Sequence, residues 1–109
     1  SGIEKYVMGK KHNLTISKII KTIENHRYEL KKYDVKRLGV FGSFSKGRQN
    51  RKSDLDFLVV FRKATFDNYM ELKFYLEKLF ARKVDLITEE TLKPALEYVK
   101  NETSYIKGL

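Results

Sequence analysis

The residues best suited to chemistry lie close together. Gly42-Ser43 is followed, after ten residues, by Asp54-Leu55-Asp56. An extended segment puts Asp54 and Asp56 on one face, because side chains two apart point the same way, and turns Leu55 and Phe57 to the other. Two acids at the mouth of an apolar strand repel one another, and a divalent cation between them relieves that repulsion. A third carboxylate, Asp85, interrupts Val84-Asp85-Leu86-Ile87. If its strand lies beside that of Asp56, the three acids converge. Such a set can hold two hard cations that clamp the attacking and leaving oxygens of a phosphoryl displacement. Asp85, on a separate strand, is then placed to take a proton from an acceptor hydroxyl.

Gly42 and Ser43 offer a place for the phosphates. Glycine lets an anion approach the backbone closely, serine adds a hydroxyl, and a helix starting there would aim free N–H groups at it. Lys46 and Arg48 could balance the remaining charge. Taken singly these features are ordinary: a turn, a strand end, an edge-protecting acid, a solvated loop. Their order along the chain sets them apart.

Composition narrows the chemistry. There is no cysteine, so thiolate metal sites and disulfides are excluded, and His12 and His26 are the only imidazoles. Both lie in a polar N-terminal region and His26 is expected to be solvated, so any metal is expected to be held by oxygen, which favours magnesium or manganese. The formal charge is +9, with a dense patch at Lys46, Arg48, Arg51 and Lys52. Such a surface attracts anions in general, but no basic–aromatic nucleic-acid motif accompanies it, so specific nucleic-acid binding is not expected. No apolar run approaches membrane-spanning length and no leader is visible, so a cytoplasmic protein is expected.

The elements that must position these residues follow from periodicity. Residues 1–13 read as a polar lead-in and 14–109 as one domain. A helix is predicted from Thr15 to about Tyr33, capped by Asn13 or Thr15. Strands are predicted at Val35–Phe41, Asp54–Phe61 (the central one) and Lys83–Ile87, with a short helix beginning at Ser43–Lys46. Gly39, inside the first strand, suggests a close backbone approach. Helices are predicted from Phe66 to Phe80 and from Thr91 to about Tyr105, the latter with Pro94 in its first turn. Strands alternating with helices give an α/β or α+β sheet covered on one face.

Gly42-Ser43-Phe44-Ser45-Lys46-Gly47 followed by Ser53-Asp54-Leu55-Asp56 resembles the signature of the polymerase-beta-type nucleotidyltransferases. The short length resembles their minimal nucleotidyltransferase (MNT) branch. The resemblance runs from about Val35 to Ile87, and more loosely through Leu92-Lys93-Pro94-Ala95-Leu96 and Tyr105-Ile106. It implies an α+β fold, a small mixed sheet with helices on one face. It further implies ATP as donor and two magnesium ions, with manganese as a substitute. Asp54, Asp56 and Asp85 would be the metal-binding and catalytic acids, and Gly42 and Ser43 the triphosphate turn. Small relatives commonly carry Arg where this chain has Lys46, which keeps the charge but loses the planar fork. The resemblance also implies a helical HEPN-domain toxin RNase as partner, with AMP transferred to one of its tyrosines.

The leading expectation is therefore a metal-dependent transferase moving a nucleoside monophosphate onto a macromolecular hydroxyl. Two alternatives are a non-catalytic antitoxin that acts by binding, with the last helix as its surface, and a basic nucleic-acid-binding module. An antibiotic-modifying transferase of the same fold usually carries an added domain. Tyr105 is a candidate self-modification site, though it reads more simply as packing. A free sheet edge could pair with a second copy or a partner.

Overall fold

A computed structural model describes residues 14–41 and 55–109. Helix α1 spans Ile16–Asn25 and α2 spans Arg27–Lys31; strand β1 is Val35–Phe41 and β2 is Leu55–Phe61. Helix α3 covers Phe66–Phe80 and β3 covers Val84–Thr88. A 3-10 segment, Glu89–Ala95, then leads into α4 (Leu96–Asn101) and β4 (Ser104–Tyr105).

Thr15 caps α1, its hydroxyl accepting from Lys18 N at 3.2 Å. The single predicted helix is broken at His26, which leaves the helical conformation (φ −113°, ψ 19°). This ring is half-buried, not solvated as expected. Its Nδ1 lies 2.7 Å from Thr22 O, so it must donate. The ring also meets Tyr75 edge-on at 6.4 Å. Thr65 caps α3 by accepting from Asn68 N at 3.0 Å, and Asp67 in the first turn suits the helix dipole.

The sheet order is β3-β2-β1-β4. β1 is antiparallel to both β2 and β4, while β2 and β3 are parallel. It is thus a mixed sheet, and β2 is an inner strand. Leu38, Val40, Leu55, Phe57, Val59, Val84 and Leu86 form one core with Ile19, Ile23, Leu30, Leu72, Leu76 and Phe80 from the helices. The opposite face carries Arg37, Gly39, Phe41, Asp56, Leu58, Val60, Asp85 and Ile87, as the register requires. It is not bare, since Leu58 is fully buried, and the Glu89–Ala95 segment touches both β2 and β3.

The last predicted helix is corrected. It ends at Asn101, and Ser104–Tyr105 is a strand paired with Val40 and Gly39. Glu102 N and Thr103 N reach back only three residues, to Val99 O and Lys100 O. Thr103 Oγ1 donates to Val99 O at 2.6 Å, and these tight bonds end the helical ladder. Gly39 shows why β4 can settle there. A Cβ on it would overlap the Thr103 Cγ2 methyl and lie 3.0 Å from Tyr105 Cδ1 and 3.1 Å from Ser104 O. The expected close backbone approach is this one.

Strand β3 ends the sheet, but helix α3 covers part of its outer edge. In a parallel strand, alternate residues turn both backbone groups outward. Lys83 O accepts from Leu55 N of β2, so Val84 and Leu86 face away. Val84 N donates to Glu77 Oε2 at 3.1 Å, and Tyr69 Oη donates to Leu86 O. These two side chains protect an edge that could otherwise pair with another chain.

Candidate active site

Asp56 sits near the start of β2 because Leu55 and Phe57 on either side are drawn into the helix-covered core. Asp85 sits near the start of β3 for the same reason, between buried Val84 and Leu86. The parallel register pairs Leu55 with Val84, Asp56 with Asp85 and Phe57 with Leu86. Asp56 and Asp85 are therefore direct neighbours on one face, on strands about 4.8 Å apart.

On its other side Asp56 is paired with Phe41, the last residue of β1. Residue 42 is bonded to Phe41, so the chain leaves β1 beside the two acids. Gly42, Ser43, Lys46, Arg48 and Asp54 lie outside the described residues, as does the helix predicted to begin at Ser43. Asp54 is two residues from Asp56 along the chain.

Asp85 is exposed and Asp56 half-buried. Two unit charges about 4 Å apart repel by about 1 kcal/mol in water and about 4 kcal/mol at an effective dielectric of about 20. Solvent at Asp85 holds the pair toward the lower figure. A cation bridging both carboxylates converts this repulsion into attraction. Among the described residues no group of three His, Cys, Asp or Glu side chains comes together. The pair Asp56–Asp85 is half-open, all-oxygen and anionic, which fits a hard divalent ion.

Further along the same face, β4 lays Tyr105 against Gly39. The Arg37 guanidinium lies 5.5 Å from the centre of its ring. Burial, and secondarily the charge of Glu89, push the Tyr105 hydroxyl pKa above its ordinary value; Arg37 opposes them. Tyr105 belongs to the sheet and to this charge cluster, a placement the helical reading of residues 91–105 missed. The β-branched and aromatic residues Thr103, Tyr105 and Ile106, close together in the sequence, were the available signal.

Among the described residues, no helix is long and apolar enough to cross a membrane.

The nucleotidyltransferase domain family matches residues 16–107. A Thermococcus cleftensis relative named protein adenylyltransferase MntA is 34% identical over 96 residues, covering 85% of this chain and 97% of the relative. The solved structure of a minimal nucleotidyltransferase, itself provisionally so assigned, superposes with a TM-score of 0.65 at 33% identity; the match covers 78% of this chain and 93% of that one. A toxin–antitoxin complex crystallised with AMP-PNP contains a chain that superposes with a TM-score of 0.62 at 25% identity, covering 79% and 73%.

Proposed function

Since the chain belongs to the nucleotidyltransferase domain family, we propose that it transfers AMP from ATP to a hydroxyl of a macromolecular acceptor, as the antitoxin of a HEPN-domain toxin. The observation that carries this reading is the Asp56–Asp85 pairing on one sheet face, beside the end of the strand that leads into Gly42-Ser43. The name of the Thermococcus relative supports protein adenylylation. The AMP-PNP complex supports ATP as donor and a toxin as partner. The HEPN class of that partner comes from the sequence resemblance. We take residues 14–109 as the single domain that performs the reaction.

Each residue has a role in this reading. Asp54, Asp56 and Asp85 would hold two magnesium ions, which when bound neutralise developing charge on the reacting phosphate. Gly42 and Ser43 would cradle the triphosphate through backbone N–H groups and the serine hydroxyl, with Lys46 and Arg48 balancing its outer charge. Asp85 would accept the proton of the acceptor hydroxyl. It suits that task because it is exposed at the edge of the sheet, where a protein surface can reach it.

The test is to incubate the chain with α-labelled ATP, magnesium and a purified HEPN-domain partner. Label should move to the partner, and Asp85→Asn should lower the rate by at least about 100-fold, in the range of a general-base loss. Transfer by Asp85→Asn at the unaltered rate would overturn the assignment. The binding-only alternative is separated by Asp54→Asn, which in that case would neutralise the partner as well as the unaltered chain does.

A further inference from the structure

Helix α3 buries Leu72, Leu76 and Phe80 against the sheet, and its opposite side is not wholly polar. Phe66 and Phe74 are 77% and 57% exposed, and Met70 between them is half-buried yet lies outside the core. Spaced four apart, the three form one continuous apolar stripe. Single exposed apolar residues are ordinary, but two aromatics and a methionine in line on one helix are a surface that another surface can cover.

Charge along this side points to what covers it. Asp67 and Glu71 make its N-terminal half acidic, Lys78 makes its C-terminal half basic, and all three are exposed. None of them has an ion-pair partner among the described residues. Asp67, Met70, Phe74 and Lys78 follow one another by three, four and four residues, so they share one side of the helix. A surface acidic at one end and basic at the other complements itself when reversed. In an antiparallel pair of α3 helices centred between Leu72 and Lys73, Asp67 stands level with Lys78 of the second copy, and Lys78 with its Asp67. At about 1.5 Å per residue, Met70 then lies within about 2 Å, along the axis, of the level of Phe74 of the second copy, which allows thioether–aromatic packing. Two-fold symmetry makes each of these contacts twice. The outer edge of β3 offers no such match, because Glu77 and Tyr69 already occupy backbone groups there.

We infer that this side of α3 joins two copies of the chain in a two-fold dimer, with Met70 and Phe74 of both copies at its centre and Asp67–Lys78 pairs on its rim. Helix α3 covers the sheet face opposite Asp56 and Asp85, so the pairing leaves both acid pairs uncovered and does not depend on nucleotide transfer. One helix face buries less than the roughly 800 Å² per partner of a standard interface, so the dimer is reversible and grows with protein concentration.

The test is sedimentation equilibrium of the whole chain without nucleotide, from about 10 µM to about 1 mM, where the mean mass should rise from monomer toward dimer. Phe74→Lys, at an exposed position the fold tolerates, should weaken association at least about tenfold. Lys78→Asp sets like charges against Asp67 of the second copy and should weaken it about threefold or more. Adding Asp67→Lys should restore it, a rescue that a folding defect would not show. Because the chain has no cysteine, the pair Asp67→Cys and Lys78→Cys gives a second reading. About 16 Å apart on one helix, these positions cannot be bridged within a chain. Mild oxidation should therefore yield a covalent dimer from the pair and not from either cysteine alone. A chain monomeric throughout the range, undiminished association by Phe74→Lys, no rescue by the charge exchange, or equal cross-linking by the single-cysteine variants would overturn the proposal.

Discussion

Gly39→Ala tests how the C-terminal strand is held. The added methyl would overlap Thr103 Cγ2 and crowd Tyr105 Cδ1 and the Ser104 carbonyl at 3.0 and 3.1 Å. The methyl cannot swing aside cheaply, because Thr103 Oγ1 is tied to Val99 O at 2.6 Å and threonine is stiff at χ1. The Ser104 oxygen is backbone and moves only if β4 moves. Yielding there strains the bond from Ile106 N to Leu38 O, 2.8 Å long, and the burial of Ile106, which is 5% exposed. Overpacking of this kind costs about 1–3 kcal/mol. Replacing glycine by alanine within a strand returns about 0.5–1 kcal/mol. The net loss is then about 1.5 kcal/mol, a fall in Tm of roughly 6–12 °C for a domain of this size. Urea and thermal unfolding read the loss directly, and hydrogen exchange at Ile106 reads its location. Thr103→Ser removes the offending methyl but keeps the hydroxyl bond, so the pair should show a favourable coupling of about 1 kcal/mol. A Gly39→Ala variant as stable as the parent, or strictly additive effects in the pair, would refute the packing argument.

Other perturbations follow from the same contacts. Glu77→Ala leaves Val84 N without its acceptor; a loss of about 1 kcal/mol is expected, with faster exchange of the Val84 amide. Thr65→Ala removes the cap of α3 and should cost about 0.5–2 kcal/mol in urea unfolding. Because burial raises the Tyr105 pKa, the folded state holds that proton to higher pH than the unfolded chain does. Stability should therefore be unaffected by this group below pH ~10 and decline as pH rises beyond it. Tyr105→Phe should remove that part of the decline in Tm measured from pH 8 to 11.

The sequence was most legible where periodicity and burial agree. Leu72, Leu76 and Phe80 marked α3, with the observed limits Phe66–Phe80. The alternation Val84-Asp85-Leu86 marked which side of β3 enters the core. The strands followed from apolar runs, and Gly39 correctly signalled a close neighbour without revealing which. That neighbour, β4, was hidden because it is two residues long and its pairing with β1 spans more than sixty residues of sequence. Helical spacing of apolar residues through Tyr105 pointed the other way, and only the backward bonds at Glu102 and Thr103 stop the helix. The break at His26 was also concealed, since a helical stripe continues through it to Leu30. Of the candidate site, the convergence of Asp56 with Asp85 was legible from strand parity. The edge caps Glu77 and Tyr69 were not, because they depend on side chains meeting across elements.

The central claim is that Asp56 and Asp85 together hold the metal that binds the donor's phosphates. A crystal structure with magnesium and a non-hydrolysable ATP analogue tests it most directly. The account predicts an ion bonded to oxygens of both aspartates and to the triphosphate, with the phosphates resting on Gly42 and Ser43. A nucleotide bound elsewhere on the molecule, with Asp56 and Asp85 touching neither metal nor phosphate, would contradict it.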